Sequence, residues 1–281
     1  MIDLPLTNFG GINMSYENDE IYLATILNPI RKSADYKPKF GHRKKEGYTA
    51  SQFQELYGSD TFYSWLGLDN PLLYAAHKAA GGMTSIYRQI GIGCENLFRR
   101  ILQDVLVLSE DDTKWSYKVH ISGNRTRKLS LDGRIPINNI QNNDAKERIS
   151  SWISEVSDLL DIDPSISESL KGVVFEVRQG YKSKDSKRQN ADIANASTAY
   201  TQAYLPCGYI LSTQIDEDIL DRYRAEKWLM LVGSVDNQSD LQSSYAFMKN
   251  IIGYDLAGFF NRKSSILKEE VDRVLRILLE P

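Results

Sequence analysis

Glu176 closes a run of apolar residues and opens a run of cations. The stretch from Gly172 to Asp192, GVVFEVRQGYKSKDSKRQNAD, reads as a short buried strand that delivers one carboxylate and, two residues later, Arg178. Residues i and i+2 of a strand share a face, and a sheet core excludes charge that has no partner. Glu176 and Arg178 together therefore point to bound metal, bound phosphate, or both. Asp132, in KLSLDGRI, lies near the end of another predicted strand. It reads either as a metal ligand or as a turn or cap residue ahead of Gly133.

One or two Mg2+ ions held by such carboxylates would neutralise charge building on phosphodiester oxygens and lower the pKa of a bound water. Adjacent strands lie about 4.8 Å apart, so carboxylates at neighbouring strand ends can share an ion. Asp132 and Glu176 are the candidates for such sharing. Glu95, in GIGCENLFRRIL, sits at the margin of a helical apolar stripe and is either a solvated edge residue or an accessory acid of the site. With only three histidines, His42, His77 and His120, and two cysteines, Cys94 and Cys207, the sequence argues against a zinc centre and against a disulfide framework. A Cys-His nucleophilic pair stays open, with nothing in the sequence to order it.

The elements around these residues follow from periodicity. Residues 1–48 read as an irregular arm or flap, with a short helix at 21–30 ended by Pro29. Helices are predicted over 50–66 and 71–80, after which Gly81 and Gly82 break the chain, and again over 94–108. Strands at 115–121 and 127–135 flank Ser122, Gly123 and Asn124 as a hairpin. A strongly amphipathic helix follows at 143–160, then the strand 172–177 and an alanine-rich helix at 187–203. Strands at 209–213 and 228–232 enclose a helix at 216–223, and helices at 241–252 and 264–279 finish the chain.

This order, a helix with Glu95, a hairpin with Asp132, a long helix, a strand with Glu176, a helix and a strand, resembles the core of the PD-(D/E)xK nuclease superfamily. Within it the chain is most similar to a type II restriction endonuclease, over about residues 90 to 213. The resemblance implies an α/β fold with a restriction-endonuclease-like core: a mixed central sheet flanked by helices, carrying an N-terminal arm and helical region and C-terminal helices. It also implies Mg2+-dependent cutting of double-stranded DNA at a short specific sequence, as part of restriction-modification, by a homodimer. The chain departs from the family pattern where lysine would follow the acid by two residues. Arg178 keeps the charge there but cannot accept a proton, so it is assigned to phosphate or transition-state binding. Lys182 shares the parity of Glu176 and is assigned as the ammonium near the attacking water. On a straight strand it would stand about 13 Å further along, so it joins the site only if Gly180 bends the chain. A literal acid-spacer-lysine at Asp185, Ser186 and Lys187 lies in a hydrophilic loop and reads as a chance match or helix cap.

Composition sets the frame for partners. A chain of 281 residues with 42% hydrophobic and 25% charged residues is ordinary for a globular protein, and a net charge of -3 confines any DNA surface to local patches. Candidates are Arg43, Lys44 and Lys45 in an arm interleaved with Tyr36, Phe40 and Tyr48, the group Lys118, Arg125, Arg127, Lys128 and Arg134, and Lys184, Lys187 and Arg188 near a helix start. The arm reads equally as a disordered tail, and the other groups as solvated faces. The expected segments are 1–85 for DNA contact or dimerisation, 86–235 for the nuclease core and 236–281 for C-terminal helices packed on it. No positive leader precedes an apolar run, and no stretch approaches the roughly 18 apolar residues of a membrane span. The expectation is a soluble cytoplasmic protein. A repair or recombination nuclease on the same core, and a DNA-binding module whose site has decayed, are the alternatives.

Overall fold

The computed structural model describes residues 16–40, 46–121, 125–180 and 195–279. Along the chain, α1 (Asp19–Arg31), α2 (Ala50–Gly58), α3 (Thr61–Trp65) and α4 (Pro71–Leu106) precede a two-stranded ribbon of β1 (Trp115–Ile121) and β2 (Arg125–Leu131). Then follow β3 (Gly133–Pro136), α5 (Asn143–Leu159), α6 (Pro164–Ser167), β4 (Gly172–Arg178) and α7, helical over residues 195–201. The chain continues through β5 (Leu205–Ile210), α8 (Glu217–Ala225), β6 (Leu229–Leu231), α9 (Ser244–Phe247) and α10 (Leu256–Leu279). Two compact units result, one of Met1–Glu20 with Phe98–Phe259, the other of Ile21–Leu97 with Phe260–Pro281.

The first unit is a mixed α/β structure. Its sheet has the order β3-β4-β5-β6, with β3 antiparallel to β4 and the other pairs parallel. Every residue of β5 and the first six of β4 are buried, the signature of strands covered on both faces. On one face Phe175 meets Phe98 at 4.9 Å between ring centroids, Tyr209 meets Phe98 at 4.7 Å, and Trp152 of α5 meets Phe247 of α9 at 4.7 Å. α5 presents Ala145, Ile149, Trp152, Ile153 and Val156 at helical spacing, and its Asn142 cap accepts the Ala145 N–H. Ile149, Ile153 and Val156 each contribute roughly 1.5–3 kcal/mol on burial. The opposite face packs Val174, Ile210 and Met230 against Ala196 and Ala199 of α7, Ile219, Leu220 and Tyr223 of α8, and Trp115 and Leu131 of the ribbon.

The helical unit shows where sequence patterning misleads. Gly81 and Gly82 do not end a helix, because α4 runs unbroken for 36 residues. A Cβ at Gly82 would come within 2.8 Å of Leu278 on α10, and one at Gly81 would overlap the phenol of Tyr36. Close packing, rather than a turn, requires those glycines. The expected division at residues 85 and 86 therefore falls inside α4, and the segments 1–85, 86–235 and 236–281 do not coincide with the two units. α1 likewise continues past Pro29 to Arg31. The arm aromatics are committed to this unit: Phe40 packs on Tyr48, Phe53, Tyr57 and His77 at centroid distances of 4.8 to 5.7 Å. They are not spread along a tail. No helix among the described residues is long and apolar enough to cross a membrane.

Candidate functional site

The expected hairpin strand over 127–135 is in fact two strands in two sheets. β2 pairs with β1, β3 pairs with β4, and Asp132 is the one residue between them. Leu131 pairs with Trp115 in the ribbon, and Gly133 pairs with Phe175 in the central sheet, where Phe98 lies 2.7 Å from the position a Cβ would take. The change of sheet leaves Asp132 facing the end of β4. Its N–H donates to the carbonyl of Phe175 at 2.7 Å, and its Oδ2 accepts the N–H of Val177 at 2.9 Å. Asp132 thus clasps the peptide groups on both sides of Glu176. Residue 132 therefore lies against the backbone of residue 176, while the carboxyl of Asp132 is engaged by the Val177 N–H.

Glu176 itself is 6% exposed, and Arg178 donates to its Oε1 in an ion pair on the same face of β4. A buried carboxylate carries a large desolvation penalty unless a hydrogen-bonded partner offsets it, and Arg178 is such a partner. The sequence-based inference that this spacing requires metal or phosphate is corrected accordingly, since the two side chains already satisfy one another in part. The Nη2 of Arg178 is committed to Glu176.

β4 ends at Arg178, and Gly180 lies beside Ser212, 3.4 Å from its Cβ to the glycine's built Cβ position. Lys182 lies outside the described residues, as do Arg43, Lys44, Lys45, Lys184, Lys187, Arg188 and the Asp185 register. Glu95 lies on α4 in the helical unit, half-buried, while Asp132, Glu176 and Arg178 belong to the other unit.

Sequence reasoning missed two residues. Arg99, one position after Phe98 on α4, donates from Nη1 to the carbonyl of Asp132 at 2.8 Å. Its only signal was a cation beside an apolar stripe. Asn195 is buried and accepts from the hydroxyl of Tyr117, tying α7 to β1. Arg134, grouped with the cations of the ribbon, instead donates to the carbonyls of Asp112 at 2.7 Å and Asp111 at 2.9 Å, and its guanidinium stands 6.0 Å from the Tyr204 ring. It holds a loop.

The site occupies the C-terminal end of β4, which runs parallel to β5 and β6, the edge at which open α/β sheets commonly bind ligands. Gly208 stands opposite Glu176 on β5 and leaves space that the Met230 side chain enters, 2.6 Å from where a Cβ would be. Two hard carboxylates are the donor type that Mg2+ takes, with waters completing its shell; here Glu176 Oε1 is engaged by Arg178 and Asp132 Oδ2 by the Val177 N–H. Among the described residues no group of three or more His, Cys, Asp or Glu could hold an ion by protein ligands alone. Both cysteines are free and buried, and burial aided by the nearby charge of Glu95 pushes the Cys94 thiol up to about 12. Burial raises Cys207 as well. Neither supplies a thiolate nucleophile at neutral pH.

Compared with family models, with curated proteins and with solved structures, the chain matches none.

Proposed function

We propose that the protein is a Mg2+-dependent endonuclease that cuts double-stranded DNA at a short specific sequence, in the manner of a type II restriction enzyme. The clasp of Asp132 around the peptides flanking Glu176 supports this reading, because it holds one acidic residue against the backbone of another at the strand end where open α/β sheets commonly bind ligands. Asp132 and Glu176 would hold the ion, which supplies charge neutralisation at the phosphoryl oxygens and acidifies a water. Arg99 fixes the Asp132 backbone, and Arg178, once released from Glu176, offers a planar donor fork to phosphate. Lys182 keeps its assignment as the ammonium beside the attacking water. A homodimer would match two-fold protein symmetry to a palindromic site.

The closed Glu176–Arg178 pair favours a second reading, a DNA-binding module that no longer cuts. Incubating the protein with supercoiled plasmid and Mg2+ separates the two. Discrete bands are expected. Binding without cutting backs the module, and nicking that depends on DNA structure backs a repair nuclease. Asp132→Ala and Glu176→Ala should each abolish cutting while keeping metal-free DNA affinity, and full activity in either variant refutes the site.

A further inference from the structure

The ribbon of β1 and β2 stands apart from the four-stranded sheet. Its sequence from 115 to 131, WSYKVHISGNRTRKLSL, holds Lys118, Arg125, Arg127 and Lys128 and no acidic residue, in a chain of net charge -3. Strand register divides the residues between two faces. Trp115 pairs with Leu131 and Tyr117 with Leu129 on one face; Ser116 pairs with Ser130 and Lys118 with Lys128 on the other. The first face is turned inward, with Trp115 and Leu131 each 3% exposed in the cluster around Val174, and Tyr117 bonded to Asn195. On the second, Ser116, Lys118, Thr126, Lys128 and Ser130 are all exposed.

Lys118 and Lys128 stand directly across from each other, both exposed. Like charges so placed destabilise a strand pair. A polyanion reverses that penalty. We propose that this face docks in the major groove of duplex DNA, Lys118 and Lys128 meeting phosphates and the hydroxyls of Ser116, Thr126 and Ser130 meeting base edges. The proposal deepens the nuclease reading and rests on it for the choice of DNA as partner.

Three observations select duplex DNA. The B-form major groove, about 12 Å wide, admits a two-stranded ribbon, whereas the deep narrow groove of A-form RNA does not. Single strands are gripped by aromatic platforms, and the ribbon's described aromatics, Trp115 and Tyr117, belong to its inward face. Protein interfaces favour aromatic residues and deplete lysine, the reverse of this surface. The ribbon also packs on Val174, which shares its face of β4 with Glu176 and Arg178. The ribbon and the side chain of Glu176 therefore lie on one side of the sheet, with the ribbon's lysines on its far face.

The test uses the full-length protein and a fluorescein-labelled duplex of mixed sequence in EDTA, with anisotropy read across KCl concentrations. Each lost phosphate contact flattens the slope of log K against log salt by about 0.9, so Lys118→Ala with Lys128→Ala should flatten it by about 1.8. Affinity at low salt should fall about tenfold or more, and Lys118→Arg with Lys128→Arg should restore both. Lys171→Ala with Lys249→Ala, exposed cations away from the ribbon, should leave the slope as in the wild type. A thermal melt confirms that each variant is folded. An unchanged slope in the ribbon variant overturns the proposal, as do tighter binding of the matching single strand and failure of the wild type to bind duplex. A ribbon-dependent slope in a protein that never cuts plasmid leaves the ribbon standing and removes only the nuclease reading.

Discussion

Arg178 lies two residues beyond Glu176 on one face of β4 and closes an ion pair with it, the two side chains keeping 13% and 8% exposure. Because water screens the pair so little, each charge depends on the other, and on whatever else surrounds it, for its stability inside the protein. Removing one member of such a pair typically costs about 3–5 kcal/mol, while replacing both with neutral groups of similar volume is close to neutral. Glu176→Gln and Arg178→Met should each lower the free energy of urea unfolding by an amount in that range. The double variant should recover most of the loss. Three variants all within about 1 kcal/mol of the wild type would show that the pair is not a unit.

Asp132 carries a structural and a chemical role that one pair of substitutions can separate. Asn keeps an oxygen to accept the Val177 N–H; Ala leaves that buried donor without its partner. Asp132→Ala should therefore cost about 1–3 kcal/mol and Asp132→Asn less than about 1 kcal/mol. Mg2+ should raise the melting temperature of the wild type, because a ligand at 100 times its Kd adds about 2.7 kcal/mol. Neither Asp132 variant should respond. A wild-type shift of the same size in Asp132→Asn would move the ion elsewhere.

Gly91 and Gly93 sit two residues apart on α4, yet their substitution should have opposite effects. A Cβ at Gly91 meets nothing within 4 Å, so Gly91→Ala should stabilise the protein by about 0.5–1 kcal/mol through helix propensity alone. A Cβ at Gly93 would lie 2.8 Å from the backbone oxygen of Ile26, where α1 crosses α4. Gly93→Ala should cost about 1–3 kcal/mol through overpacking. Equal melting temperatures for the two variants would mean that the crossing is looser than described.

Glu270 on α10 accepts from Arg31 of α1 and from Arg273, and these hydrogen bonds pull its carboxyl down to about 2 from the ordinary 4.5. A depressed folded value means that the contribution is complete above the ordinary value and is lost as pH falls from 4.5 towards 2. Arg31 is 42% exposed, so solvent screening holds the contribution below about 1 kcal/mol at physiological salt. The gap in melting temperature between wild type and Glu270→Gln should stay constant near neutrality, shrink through that acid window and narrow with added salt. A gap that widened on acidification would have the wrong sign.

What was legible in the sequence was local. The apolar stripe of α5 and the buried run of β4 follow from spacing within a dozen or so residues, and the structure places both within a residue or two of their expected ends. The shared face of Glu176 and Arg178 was legible for the same reason. Distant neighbours decided the rest. Leu278 and Tyr36 explain why two glycines persist in α4, and the pairings of Leu131 with Trp115 and of Gly133 with Phe175 set the change of sheets at Asp132. The bond from Arg99 to the Asp132 carbonyl spans 33 residues of sequence, so no periodicity announces it.

That change of sheets has a mechanical side. Leu131 belongs to the ribbon, Gly133 to the central sheet, and only Asp132 separates them, with no slack loop to absorb movement. Three bonds, to Phe175, Val177 and Arg99, hold that single residue on the central-sheet side. The two sheets thus share one hinge-free joint, and the joint is an acid.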